Sequence, residues 1–187
     1  MRFFLQSAAL PLALLFSVTG LSGQERPGLM GDLLANVTVV EAKVISLARA
    51  MPQSTYSWRP AEGVRSVSEV FAHVAGENYF AAAKMGSAPP IATGIVGKTI
   101  KEARAYEERK IPRAETIAAL EDSFKLLKKS MADTADERLD ATIPFFGPTR
   151  QDTIREAWVG TVTHLHEHLG QLIAYARSNK ITPPWSK

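Results

Sequence analysis

A helical apolar period returns four times along this chain, and one gap in the series is unusually wide. Leu33, Val37, Val40, Val44 and Leu47 recur at alternating spacings of four and three between Gly28 and about Ala50, which lays one buried stripe along a helix. A second stretch, SVSEVFAHVAGENYFAAAKMG, opens with Ser66 and carries Glu69 three residues later, the reciprocal cap of a helix start. Val67, Val70, Phe71, Val74 and Ala81 give it a core face, and Gly86 can end it. Ile117, Leu120, Phe124 and Leu127 mark a third helix from Pro112 to about Met131. Ile154, Trp158, Val162, Leu165, Leu169 and Leu172 mark a fourth, from about Thr149 to Arg177.

The connections decide how four such rods can be arranged. MPQSTYSWRPAEGVR, with two prolines and a glycine, is a loop between the first two helices. Roughly 25 residues separate the second and third long helices, where antiparallel neighbours in a bundle use about two to eight. That gap holds the Pro/Gly-rich SAPPIATGIVGK and then a short polar helix from Thr99 to about Glu108. A long crossover between two parallel helices accounts for the length. ADTADERLDATIPFFGP reads as a loop, the prolines of NKITPPWSK stop the last helix, and no strand pattern or internal repeat stands out. The expected fold is all-α, a four-helix bundle with one long crossover between the second and third long helices.

The N-terminus is set apart from this pattern. MRFFLQSAALPLALLFSVTGLSGQ has one basic residue, an apolar run from Phe3 to Val18 and then small residues, which is the layout of a secretory signal peptide. Pro11 interrupts the run, which falls short of the about 20 apolar residues of a membrane span. Residues 1–23 are therefore expected to be a leader cleaved after Gly20 or Gly23, leaving a domain over 24–187; a retained N-terminal anchor is the alternative. Gln24 stands where a lipoprotein would need cysteine. An exported, periplasmic or secreted protein with no integral membrane domain after leader removal is the expectation.

Loss of Arg2 with the leader lowers the formal charge from +3 to +2. The basic residues are interspersed with acidic ones, as in KEARAYEERK and LKKSMADTADER, so these runs read as solvated helix faces and not as a nucleic-acid footprint. With no cysteine in 187 residues, disulfides, thiolate metal sites and a cysteine nucleophile are excluded. Any metal site must be built from His, Asp, Glu or water.

THLHEHLGQL holds three of the four histidines. Residues four apart share a helix face, with Cβ atoms about 5–6 Å apart, so His164 and His168 form a pair. His166 lies roughly 200° around the helix from His164 and points away. HExxH is absent, because Gly170 falls where its second histidine would be, and Glu167 lies off the paired face. His73, between Val70 and Val74, sits near the inward side of the second helix, where an imidazole is costly unless its nitrogens have partners. A core histidine bonded to a carbonyl is the simpler account of His73 alone. With His164 and His168 on another inward face, a common metal site on all three is the better one.

WRPAEGVRSVSEVFAHVAGENYF, HLHEHLGQL and ITPPWSK together resemble the DinB/YfiT-like metalloenzyme family over nearly all of the mature chain. The resemblance implies a four-helix bundle in up-down-down-up order and a metal triad on His73, His164 and His168. Leu169 departs from the family, which often has Arg there. Characterised branches resemble intracellular thiol-dependent transferases and isomerases, and this chain's leader sets it apart from them.

Three neutral imidazoles leave coordination positions open, as catalytic sites do. Zn²⁺ is the default ion for such ligands, with Ni²⁺, Fe²⁺ or Mn²⁺ as alternatives. Glu77, one turn beyond His73, is placed to orient a ligand or handle protons, against the simpler reading of a rim carboxylate in solvent. Asn78 and Tyr79 could line the mouth, though Tyr79 and Phe80 are more simply packing residues. Gln171 is near enough to His168 to hydrogen-bond it from outside the ligand set. Trp58 and Trp185 flank loops and cover bundle ends, and Trp158 belongs to the core or its edge. Three functions follow from this reading. The first is a divalent-metal-dependent hydrolase or transferase acting on a small molecule, the second a non-catalytic metal- or ligand-binding bundle, and the third a purely structural helical module. A homodimer is compatible with each.

Overall fold

The structure, a computed structural model, describes residues 28–186; the leader expected over 1–23 lies outside the described residues. Among the described residues five α-helices form a bundle: α1 (Leu29–Ala50), α2 (Val67–Lys84), α3 (Ile100–Glu107), α4 (Arg113–Ala132) and α5 (Ile154–Ser178). α2 and α4 pack together, α1 packs on both α4 and α5, and α5 returns to α2. The ion pairs Arg49–Glu121 and Lys128–Glu41 run in opposite order along α1 and α4, so those two helices are antiparallel. No helix among the described residues is long and apolar enough to cross a membrane.

The core is the sum of the stripes read from the sequence. Val37, Val40, Val44 and Leu47 meet Leu120, Phe124 and Leu127, with Trp158, Leu165 and Leu172 from α5. Leu33 and Ile117, expected inside, are only half-buried and pack on its margin. α2 is buried on nearly every side, as befits a helix covered by α3, α4 and α5. Its start is the expected reciprocal cap: Ser66 Oγ accepts from the Glu69 N–H, and the Ser66 N–H donates to Glu69. Gly86 takes a left-handed φ of 94° just beyond its end, a conformation that favours glycine.

Two features were not legible in the apolar pattern. The last helix begins at Ile154, five residues later than expected, because Thr153 caps it with Glu156. Residues just before it are engaged elsewhere, since Asp152 and Thr153 pair antiparallel with Ile143 and Thr142 as β2 and β1, each two residues long. The all-α expectation thus needs this small addition.

Within the crossover, one carboxylate organises the loop. Glu102 accepts the backbone N–H groups of Val96, Gly97, Lys98 and Thr99 at 2.8, 2.9, 3.2 and 3.1 Å. α3 then lies flush against α2 at Gly76, where a Cβ would come within 3.1 Å of the Ala103 carbonyl and 3.2 Å of the Tyr106 ring. That close approach carries Glu107, at the end of α3, to the side of α2 that bears His73.

Candidate metal centre

His73 from α2 and His164 and His168 from α5 converge on one point. His164 Nε2 is 3.0 Å from His73 Nε2 and 3.0 Å from His168 Nε2, and the three ligand atoms all lie within 4.8 Å of one another. His73 and His168 are buried and His164 is half-buried. His166 is exposed on the far side of α5, as the helical period requires.

Hydrogen bonds around the triad fix which nitrogens carry protons. The Glu107 carboxylate accepts His73 Nδ1–H at 2.9 Å, leaving a lone pair on His73 Nε2. On the other arm, the Arg65 carbonyl can only accept, so Tyr175 O–H donates to it at 3.1 Å. The Tyr175 oxygen therefore accepts from Gln171 Nε2 at 2.9 Å, and Gln171 Oε1 accepts His168 Nδ1–H at 2.8 Å. His168 Nε2 is thereby also a lone-pair nitrogen. Both arms end at one residue, because the Arg65 guanidinium binds both oxygens of Glu107. Trp58 closes over this end, edge-on to Tyr175 with ring centroids 5.3 Å apart.

Two lone pairs thus face His164 Nε2, which has at most one proton to give. A cation satisfies all three nitrogens at once. A tetrahedral ion about 2.0–2.1 Å from each imidazole nitrogen would hold them about 3.3 Å apart, close to the observed spacing. Burial first, then the neighbouring charges of His168 and Arg65, pull the His73 pKa down to about 3. Burial and His168 pull His164 down to about 4. Both rings are therefore neutral near pH 7, the state in which imidazole binds metal. The donor set fits a divalent ion and would leave coordination positions open on it.

His164 differs from its partners in having no hydrogen bond at Nδ1 among the described residues. It forms part of the wall of a cavity of about 90 Å³ between α2, α5 and the loop before β2, with Glu77, Asn78, Ala81, Phe145, Phe146, Gly160, Thr161 and Leu165. Asn78 is buried, donating from Nδ2 to Ser123 Oγ at 3.2 Å. Glu77 is half-buried and not the solvated rim carboxylate of the simpler sequence reading. Burial and then the charge of Glu107 push its pKa up to about 7, against the opposing pull of Arg104 and Arg65. Tyr79, Phe80 and Trp158 are core residues.

The sequence reading missed Glu107, Arg65 and Tyr175. Glu107 stood in a charge run that looks like a solvated face, and Arg65 in a loop. Helical spacing could have found only Tyr175, which is four residues from Gln171 and seven from His168.

A helical bundle with an imidazole triad between two of its rods is the class that this fold and site define. The chain belongs to the DinB superfamily, which matches residues 37–172. Among solved structures it is similar to a DinB-like protein from Bacillus cereus ATCC 10987, at 14% identity and a TM-score of 0.65 over 81% of this chain and 93% of that one. A DinB-like protein from Bacillus subtilis is similar at 18% identity and a TM-score of 0.61, over 81% and 94%. A mycothiol-dependent maleylpyruvate isomerase shares the fold at 13% identity and a TM-score of 0.57, over 78% of this chain and 61% of that one. No curated protein sequence matches the chain.

Proposed function

We propose that this protein is an exported, divalent-metal-dependent enzyme of the hydrolase or transferase kind that acts on a small molecule. His73, His164 and His168 hold the ion, with Zn²⁺ the first choice and Ni²⁺, Fe²⁺ or Mn²⁺ the alternatives. α1, α2, α4 and α5 are taken to run up-down-down-up, with α3 inside the crossover. The observation that carries the reading is the convergence of three Nε2 atoms, two of them locked as lone-pair nitrogens by Glu107 and Gln171. When bound, a divalent ion supplies Lewis acidity: it lowers the pKa of a bound water or thiol and polarises a carbonyl. The protein's own part is to keep the imidazoles neutral and aimed, and to hold the substrate in the cavity beside His164. The mycothiol dependence of one structural neighbour makes a thiol one candidate nucleophile, and water is the one available to an exported enzyme.

Elemental analysis of the purified mature chain and of His164→Ala tests the centre. About one ion per chain in the wild type and none in the variant is the expected result; equal traces in both remove the metal reading. Turnover of ester, amide and thiol-transfer probes by the loaded protein separates an enzyme from a binder. The N-terminal sequence of protein recovered from the cell envelope tests export, and a chain beginning at Met1 would point to an anchor.

A further inference from the structure

The metal reading leaves open which group moves protons. Glu107 accepts hydrogen bonds from both His73 and Arg65, and Glu167 is exposed on α5. Glu77 is different. It is half-buried, it forms no hydrogen bond or ion pair among the described residues, and it shares the wall of the 90 Å³ cavity with ligand His164. The charged and titratable groups acting on it are Glu107 and Arg104 of α3 and Arg65 of the loop before α2. His164 of α5 stands across the cavity, and α4 brings it no charge among the described residues. The remaining walls are largely apolar: Ala81, Phe145, Phe146 and Leu165.

We propose that Glu77 is the proton-transferring catalytic residue of this centre, and that the cavity it shares with His164 receives the reacting end of a carbonyl compound with a small apolar body. The proposal rests on the metal-dependent reading above. In the step assigned to it, the H–X bond of the nucleophile, a water or a thiol, breaks and the proton passes to the Glu77 carboxylate. The X–C bond forms at the carbonyl carbon while the π pair moves to oxygen. As that pair returns, the bond to the leaving atom breaks and Glu77 gives its proton to that atom. The carboxylate is regenerated and no oxidant or reductant is consumed. A half-buried carboxyl with no hydrogen bond or ion pair of its own among the described residues exchanges protons near neutral pH, in keeping with the raised pKa of Glu77. The apolar walls exclude competing water.

Acetohydroxamate is a suitable probe, because it binds a metal as its anion and must give up a proton to a nearby base. Its affinity is read from the visible spectrum of the Co²⁺-loaded mature chain, for wild type, Glu77→Gln and Glu77→Asp. Glu77→Gln keeps the shape of the side chain. It should hold as much Co²⁺ as wild type yet bind the probe about tenfold or more weakly, the size of a lost hydrogen bond to a charged group. Glu77→Asp should recover part of the loss. Superimposable isotherms for wild type and Glu77→Gln overturn the proposal. So does a Glu77→Gln that loses Co²⁺, which would make Glu77 a ligand, or a loaded wild type that binds no probe. A wild type that holds no Co²⁺ overturns the metal reading, and the proposal falls with it.

Discussion

The two sides of the histidine cluster are built differently. On the inner side, His73 and His168 are each held from behind, one by Glu107 and the other by Gln171 and Tyr175, and both chains of hydrogen bonds close on Arg65. On the outer side, His164 Nδ1 has no such support among the described residues and stands at a cavity with Glu77, which is unpaired among them. Orienting partners on ligating histidines set tautomer and ring angle. In the proposed metal-dependent reading, a site that also admits substrate cannot be braced all round, and the contrast assigns holding to one side and reacting to the other.

Removing an inner ligand should break the contrast most completely. His168→Ala takes away one of three donors, and stoichiometric metal should be lost; retention of a full equivalent by elemental analysis would show that His168 is not needed. Next in size is Arg65→Ala, which takes the guanidinium from Glu107 and so loosens the His73 arm without touching a ligand, while the main-chain carbonyl that Tyr175 binds is kept. Metal affinity measured against a competing chelator should fall about 10- to 100-fold. Arg65→Lys, which cannot bind both Glu107 oxygens as a fork, should lie between. Affinity unchanged in Arg65→Ala would dissolve the distinction between the two sides.

Tyr175→Phe cuts only the arm through Gln171. The net worth of one neutral hydrogen bond, about 1 kcal/mol, sets an expected loss of about fivefold. A loss as large as that of Arg65→Ala would mean that the His168 arm braces the centre as strongly as the His73 arm.

The smallest expected effect is on the pH dependence of stability in the metal-free protein. His73 and His164 sit at about 3 and about 4 instead of 6.5. Their contribution is complete above about 6.5 and is lost as the pH falls through about 4 and then about 3. Glu77 has the opposite sign: raised from 4.5 to about 7, it contributes fully below about 4.5 and loses that contribution as the pH rises through about 7. Between about 4.5 and 6.5 two histidines outweigh one carboxyl. The thermal midpoint should therefore drop on acidification, and more steeply in Glu77→Gln. Parallel slopes in the two proteins would place Glu77 in water.

The holding side and the reacting side were not equally legible in the sequence. His164 and His168 declare themselves by spacing on one helix, and His73 by its place on an apolar border. Gln171 followed from the same helical arithmetic. Glu107 and Arg65 did not, because their meeting with His73 depends on how the crossover folds back, and nothing local in KEARAYEERK distinguishes a bracing carboxylate from a solvated one. The four apolar stripes placed the long helices within a residue or two, except at the start of α5. There the capping pair Thr153 and Glu156 decides the boundary, and the preceding residues are drawn into a strand pair. Glu77 looked solvated on its own helix and became half-buried only through the packing of its neighbours.

Gly76 ties the bracing to the scaffold. Since α3 rests directly on the main chain of α2 at that position, the gap between His73 and its carboxylate partner is gauged by the spacing of two rods and not by the reach of a flexible arm. A single added methyl there, as in Gly76→Ala, would wedge the rods apart, and the centre would register a sub-ångström change in the frame as a looser convergence of its three imidazoles.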